Sequence, residues 1–408
     1  MARERILTLI MAGGAGGRLE VLTQERAKPA VTYAGVYRLV DFPLSNCMHS
    51  GLTDVWIVEQ YQPHSLNEHL ANGRPWDLDR TYGGLLLLPP YQGREESGWQ
   101  EGNADAIHRH GTAIRRFDPD TILVLSADHV YKLDFHQVLE RHREREADVT
   151  LVTTRVPLDE AGRYGTVQTD GEGRVTGFEY KPDSPRSDIV TTEVFVYNAR
   201  TLLGTLDRLA AEAEDGDGAT LKDFGHALLP ELVRAGRAWE YRLDGYWRDA
   251  GTVESYWQGH MDLLEPDPAL ALDDPGWPIL TLGAQQLPAR IHDSARIDNS
   301  LIAPGCTIRG RVVRSVLSPG VVVEEGAVVR DSVLLHNTTV AAGATVDGAI
   351  LDREVRVGAG ATVGAEGWPG GRSEGEIAMA GQRAVVPPGA RVPAGTRIAA
   401  GATAEDGG

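Results

Sequence analysis

An apolar run, Ile6–Ala12, leads directly into Gly13-Gly14-Ala15-Gly16-Gly17-Arg18-Leu19. A strand that opens into a glycine turn lets backbone N–H groups approach phosphate oxygens closely. Gly13, Gly14 and Gly16 are therefore candidate phosphate-binding positions. The turn lacks the Gly-Lys-Ser/Thr of a P-loop, and Leu19 stands where the dinucleotide fingerprint has its third glycine. Arg18 closes the turn, and Arg26-Ala27-Lys28-Pro29-Ala30-Val31 follows, so three cations stand close in sequence to the cradle. Two aspartates complete the set. Asp128 ends the apolar stretch Val124-Leu125-Ser126-Ala127, and Asp249 lies in Tyr246-Trp247-Arg248-Asp249-Ala250-Gly251-Thr252. Two carboxylates beside a triphosphate suit Mg²⁺, which takes hard oxygen ligands and few of them from protein.

The rest of the chain makes these cations conspicuous. It has 408 residues, with 40 Lys and Arg against 58 Asp and Glu, for a formal net charge of −18. That balance disfavours nucleic acid or an anionic membrane as partner. Only Lys28, Lys132, Lys181 and Lys222 are lysines; all other basic side chains are arginine, as a high-GC genome would produce. A lysine kept against that drift marks a place where a compact ammonium is needed. The two cysteines, Cys47 and Cys306, exclude a disulfide scaffold and suit a reducing cytosol. The N-terminal apolar run is of strand length and is followed by glycines, so neither a signal peptide nor a membrane span is expected, and the expected location is cytoplasmic.

Two textures position these residues. Up to residue 261, short apolar runs (Ile6–Ala12, Val55–Glu59, Thr121–Ser126, Val149–Thr153, Val194–Tyr197) alternate with helical patterns at Phe135–Ala147 and Leu202–Ala213. This predicts an α/β domain on a mostly parallel, Rossmann-like sheet, with ligands at the carboxyl ends of its strands. Residues 262–288, punctuated by Pro266, Pro268, Pro275, Pro278 and Pro288, read as a linker. From 289 to 408 aliphatic residues recur six apart: Ile291/Ile297, Ile302/Ile308, Val322/Val328, Val340/Val346, Val357/Val363 and Val386/Val392/Ile398. That hexapeptide period predicts a left-handed parallel β-helix of about six coils, interrupted by an excursion over Gly364–Ala384.

Taken together, Gly-Gly-x-Gly-x-Arg-Leu, Arg-Ala-Lys-Pro-Ala-Val and Asp41-Phe42-Pro43-Leu44-Ser45-Asn46 resemble the ADP-glucose pyrophosphorylase family of sugar-phosphate nucleotidyltransferases. Gln60-Tyr61, Ala104-Asp105-Ala106, Asp128-His129-Val130-Tyr131-Lys132, Lys181-Pro182, Asp223-Phe224-Gly225, Tyr246–Thr252 and Trp277-Pro278-Ile279 extend the resemblance along the whole chain. It implies that an acceptor phosphate attacks the α-phosphorus of a nucleoside triphosphate and releases pyrophosphate. It also implies that Arg18 and Lys28 hold the triphosphate, that Gly102 and Asp105 join the glycine turn in binding nucleotide, that Asp128 and Asp249 hold Mg²⁺, and that Gly165 and Lys181 serve the acceptor. Members of this family form homotetramers, so the β-helix is expected to serve oligomerisation.

Against the family pattern, the departures concentrate at the acceptor. Gln100 stands for a tyrosine, Tyr180 for the carboxylate of Glu-Lys-Pro, and Thr191-Thr192-Glu193 for Ser-Met-Gly. A lost hydrogen-bonding group in a buried site can change discrimination roughly 10⁴-fold. The expected acceptor is therefore a sugar-like 1-phosphate other than glucose 1-phosphate. Relatives that activate C7-cyclitols, such as valienol 1-phosphate with GTP, offer one example; the alternative is a glucose-1-phosphate adenylyltransferase that makes ADP-glucose for glycogen. The nucleobase stays open. Glu25 replaces an activator-binding lysine of some members, so sugar-phosphate regulation is not expected. Two other readings are a non-catalytic regulatory subunit and an acyltransferase in the β-helix. The intact set Arg18, Lys28, Asp128, Lys181 and Asp249 speaks against the first. The second would rest on His336, expected to be a solvated loop residue.

Overall fold

The structure is a computed structural model that describes residues 4–14, 16–90, 102–214, 221, 223–283, 285–364 and 374–404. Contacts divide the chain into two units. One is Met1–Ala15, Phe42–Pro63 and Leu70–Trp247; the other is Gly16–Asp41, His64–His69 and Arg248–Gly408. The spans read from the sequence, 1–261, 262–288 and 289–408, follow chain order. Packing instead groups the segment that carries Arg18 and Lys28 with the C-terminal repeats.

The first unit is built on a nine-stranded sheet. Its strands are β1 (Ile6–Ala12), β2 (Asp54–Glu59), β3 (Gly84–Leu88), β4 (Thr121–Ser126), β5 (Val149–Arg155), β6 (Gly165–Thr169), β7 (Val175–Tyr180), β8 (Ile189–Asn198) and β9 (Ala238–Arg242). The half that carries the glycine turn is parallel, in the order β3-β2-β1-β4. Its strands are near-continuous apolar runs because both faces are covered; Leu7, Leu9 and Ile10 of β1 and Ile122, Leu123 and Leu125 of β4 are fully buried. The mostly parallel, Rossmann-like core expected from the sequence is thus present. It is extended by β8, which runs antiparallel to β4, β5 and β6, while β9 runs parallel to β5.

Helices α1 (Asn103–Arg109), α2 (Phe135–Glu144) and α3 (Ala199–Glu214) cover this sheet. Asp134 caps α2 by accepting the His136 N–H at 2.9 Å. The three- and four-residue spacing of Leu202, Leu206 and Leu209 puts one face of α3 into the core.

The second unit contains the hexapeptide repeats. They form three parallel sheets of six strands each, which start at Arg290–Ile291, Arg296–Asp298 and Leu301–Ile302 and end at Val385–Val386, Arg391–Val392 and Arg397–Ile398. This is the expected left-handed β-helix of six coils. Equivalent residues stack in register, as in Val323↔Val340↔Val357↔Val386, and fill the core. Two details differ from the sequence reading. The inward pair of the third coil is Val323/Val329, both fully buried, rather than the half-buried Val322/Val328. Runs of valine leave that phase ambiguous. The repeat also resumes at Ala378–Ala380, on Ala349–Leu351, and not after Ala384; residues 365–373 lie outside the described residues. Among the described residues no helix is long and apolar enough to cross a membrane.

Each unit holds a buried neutral histidine. In the first, His142 Nδ1 lies 2.9 Å from Thr150 Oγ1. In the second, helix α4 (Val253–Asp262) carries His260. Its Nδ1 donates to the Tyr256 carbonyl at 2.8 Å, and its Nε2 accepts from Ala34 N–H at 3.1 Å. Burial lowers both side chains from 6.5 to about 4. As pH falls through 6.5 the unfolded chain takes up these protons first, so stability must drop with pH until the folded groups also protonate near 4. Each histidine should remove about 2 kcal/mol between pH 7 and pH 5. Thermal melts over that range should show this fall, and His142→Gln should flatten it for the first unit; an equally steep fall in the variant would contradict the assignment.

Candidate active site

Gly16, Arg18, Lys28 and Asp249 lie within the second unit. Gly16 has φ +70°, and an added Cβ would lie 2.8 Å from Thr23 Cγ2 and 3.2 Å from Lys28 Cβ, so only glycine fits this corner. Thr23 Oγ1 donates to the Gly16 carbonyl at 2.9 Å and draws the turn back on itself. Lys28 opens the short 3₁₀ turn Lys28–Ala30 with Pro29 at its start, and its Nζ lies 3.7 Å from Asp249 Oδ1. Both groups are largely buried, with side chains 8% and 16% exposed. A methyl placed on Gly251 would meet Asp249 Oδ1 at 2.6 Å, Lys28 Nζ at 3.0 Å and Arg18 Nη2 at 3.1 Å. Arg18, Lys28 and Asp249 therefore converge on one point of backbone. Thr252 caps α4 just beyond, accepting from Ser255 N–H at 3.1 Å, which fixes the exit of the chain from this point.

The first unit supplies the remaining positions. Gly13 directly follows β1, and an added Cβ would come within 2.8 Å of Gln60 Oε1; Gly14 is open, with nothing within 4 Å. Gly102 precedes α1 with φ +99°, and Asp105 on α1 receives Arg109 Nε at 2.8 and 2.9 Å. Asp128 stands just past the carboxyl end of β4, the place where such sheets present ligand groups, and accepts from Ser126 Oγ. His129 Nδ1 faces the Thr192 carbonyl at 2.9 Å, which can only accept, so the ring donates there. His129 Nε2 then lies 3.8 Å from Asp128 Oδ1 and 3.9 Å from Glu193 Oε2.

The acceptor positions are drawn together on β6, β7 and β8. Gly165 starts β6, where a side chain would collide with Phe178 at 2.8 Å and approach Thr191 Oγ1 at 3.2 Å. Tyr180 ends β7. Its ring packs edge-on to His226, centroids 4.7 Å apart, and Lys181 Nζ lies 4.8 Å from its centre. Burial, the largest influence on it, raises the Tyr180 hydroxyl above its usual 10.0. Thr191 is buried on β8, and Glu193 follows in a break of the β8 ladder between Thr191 and Phe195, at φ +55°. Gln100 lies outside the described residues. His336 does lie in a turn, but it is half-buried rather than freely solvated: burial and the charges of Arg38, Arg353 and Arg26 push it down to about 3, which makes it a poor proton acceptor for acyl transfer.

Residues 7–266 match the family described as Nucleotidyl transferase, and residues 284–368 match GlmU-like, C-terminal hexapeptide. A glucose-1-phosphate adenylyltransferase of Clostridium perfringens (strain SM101 / Type A) is 41% identical over 339 residues, 83% of this chain and 86% of the relative. One from Thermotoga neapolitana is 42% identical over 327 residues, 80% of this chain and 76% of the relative. One from Acetivibrio thermocellus is 40% identical over 339 residues, covering 83% and 78%. A glycine turn on a Rossmann-like sheet, in one chain with hexapeptide repeats, is thus the framework of a sugar-1-phosphate nucleotidyltransferase, and the protein is an enzyme of that class. Within it, the chain belongs to the ADP-glucose pyrophosphorylase-like family.

Three residues near these positions were quoted in sequence motifs without a role. Gly251 leaves room for the Arg18–Lys28–Asp249 convergence. Gly225 leaves room for Tyr180, whose Cδ2 would be 2.1 Å from an added Cβ. His129 joins Asp128 to Glu193. Gly251→Ala should displace the three charged groups while leaving the fold intact. We expect a fall of about 10²-fold in kcat/KM with a Tm within a few degrees of the parent, because ångström-scale misplacement of such groups costs that much. Steady-state kinetics with a matched melt would show it, and unchanged kinetics would mean that the backbone there has no bearing on the triphosphate.

Proposed function

We propose that this enzyme transfers a nucleotidyl group from a nucleoside triphosphate to a sugar-like 1-phosphate other than glucose 1-phosphate, with release of pyrophosphate. An oxygen of the acceptor phosphate forms the new bond to the α-phosphorus, and the α–β bridging bond breaks. The nucleophile is already ionised near neutral pH, because the second pKa of a phosphomonoester is about 6. No strong general base is needed, and catalysis is positioning plus neutralisation of charge. Arg18 and Lys28 neutralise the triphosphate, and the turn at Gly13, Gly14 and Gly16 offers its N–H groups to it. Gly102 and Asp105 serve the nucleotide, and Lys181 meets the acceptor phosphate. Asp128 and Asp249 are hard carboxylate donors of the kind that suits Mg²⁺, and a bound Mg²⁺ would polarise phosphoryl oxygens. The enzyme is placed in the cytoplasm, where its two buried free cysteines stay reduced, and acts as a homotetramer.

The observation that carries the acceptor reading is Glu193. It occupies a left-handed backbone position, natural for the glycine of the family pattern, and its carboxylate is half exposed beside His129. Left-handed geometry costs a non-glycine residue roughly 1 kcal/mol. A glutamate kept there at that cost, next to Tyr180 in place of a carboxylate, supports a rebuilt set of hydroxyl contacts formed with Gln100, Tyr180, Thr191 and Gly165. A cyclitol 1-phosphate such as valienol 1-phosphate with GTP is one such pair. The names of the relatives favour a second reading, ADP-glucose formation from ATP and glucose 1-phosphate.

A pyrophosphate-release panel that crosses ATP, GTP, UTP, CTP and dTTP with glucose, glucosamine, mannose and cyclitol 1-phosphates separates the two. We expect weak turnover of glucose 1-phosphate and a strong signal elsewhere. In Glu193→Gly we expect a higher Tm and at least a tenfold loss of kcat/KM for the favoured acceptor. Fast turnover of ATP with glucose 1-phosphate alone would establish the second reading instead.

A further inference from the structure

The triphosphate-binding cations Arg18 and Lys28 sit on a segment with little regular structure of its own. Between Gly16 and Asp41 the chain makes short 3₁₀ turns at Gly17–Thr23 and Lys28–Ala30 and a two-residue strand pair, Thr32–Tyr33 with Tyr37–Arg38. Glu20 interrupts the first turn at φ 48°. Such a segment cannot hold a side chain to a few tenths of an ångström unless something rigid fixes it.

Helix α4 holds the far part of the segment, through His260 to Ala34 N–H and Tyr256 O–H to the Thr32 carbonyl, and the β-helix holds the part nearest Lys28. Arg26 Nη2 lies 2.8 and 2.6 Å from the two carboxylate oxygens of Asp352, both side chains almost wholly buried. Asp352 is itself held: its N–H donates to the Ala380 carbonyl at 2.9 Å, its own carbonyl accepts from Thr338 Oγ1 at 2.8 Å, and its Oδ1 accepts from Arg353 N–H at 2.6 Å. Two outer ties repeat the pattern. Glu20 pairs with Arg397, which also donates to the Ile377 and Gly395 carbonyls at 2.5 and 3.0 Å, and Glu25 pairs with Arg383 at 3.0 Å. The chemistry-bearing segment is thus tied to consecutive rungs of a stacked solenoid, and the buried Arg26–Asp352 pair lies two residues from Lys28.

We propose that Asp352, through Arg26, is a positioning residue for the Arg18–Lys28 segment, which makes the β-helix part of the nucleotide-binding apparatus as well as an assembly module. The inference rests on the reading that Arg18 and Lys28 hold the triphosphate. A buried carboxylate that grips a guanidinium from the fixed rungs transmits their rigidity to the nearby lysine, whereas the acceptor residues lie on the sheet of the other unit and have no share in this tie.

The test compares Asp352→Asn with Asp347→Asn in the full-length enzyme, each assayed at the same interval below its own Tm. Asp347 is also buried and also paired, with Arg330 at 2.8 Å, but that pair joins neighbouring rungs of the β-helix. Asp352→Asn should raise KM for the nucleoside triphosphate at least tenfold and lower kcat, with KM for the acceptor within twofold of the parent; Asp347→Asn should leave all three in place. Identical kinetics in the two variants would overturn the proposal. If Asp352→Asn does not fold, the double variant R26M/D352L replaces the pair by apolar contact. The same selective rise in KM supports the proposal there, and parental KM values overturn it. Lys28→Ala is assayed alongside. Parental turnover in that variant would overturn the underlying triphosphate reading rather than the tie.

Discussion

An ammonium in a largely buried position needs a counter-charge, and that need organises the point where Lys28, Asp249 and Arg18 meet. Lys28 is 8% exposed, and Asp249 stands 3.7 Å from it. The aspartate supplies that counter-charge. Room for the pair exists because Gly251 has no side chain, and Arg18 comes to the same point. In a chain with net charge −18, Arg18 and Lys28 form a local concentration of cations. The buried ion pair between Arg26 and Asp352 extends the logic one step outward.

What the sequence made legible has a physical pattern. Ile6–Ala12 and Thr121–Ser126 are strands with the bounds read from the sequence, because a strand buried on both faces must be apolar throughout and ends where the apolar run ends. The hexapeptide period gave the coil number for the same reason: inward positions tolerate only aliphatic residues. The phase failed at Val322/Val328 because Val321, Val322 and Val323 are interchangeable on composition, and only stacking against the next coil selects one. Lys28 stood out through the arginine bias of the chain. Invisible to any local reading was the partnership of Arg26 with Asp352, 326 residues apart, and with it the grouping of the Gly16–Asp41 segment with the repeats. The convergence on Gly251 was hidden for the same reason. The motif containing this glycine is plain in the sequence and includes Asp249, but the other two groups it makes room for, Lys28 and Arg18, come from elsewhere in the chain.

Left-handed backbone occurs in both sets of candidate site residues. Gly16 takes such a corner at φ +70°, free of strain, and Glu20, two residues beyond Arg18, stands at φ 48°. Among the residues expected to serve the acceptor, Lys181 stands at φ 46° and Glu193 at φ 55°. Left-handed Asn, Asp and Arg residues also occur at corners of the β-helix, such as Asn299, Arg314, Asp331 and Asn337, where each coil must turn. Lys181 and Glu193 differ, since one directly follows β7 and the other interrupts β8. Neither place demands a turn that glycine could not make more easily. The break at Glu193 lets β8 pair with β5 on both sides of it while the side chain leaves the ladder beside His129. On the proposed acceptor reading, Glu193 is delivered toward the part of the acceptor that differs between such enzymes, against the preference of its own backbone.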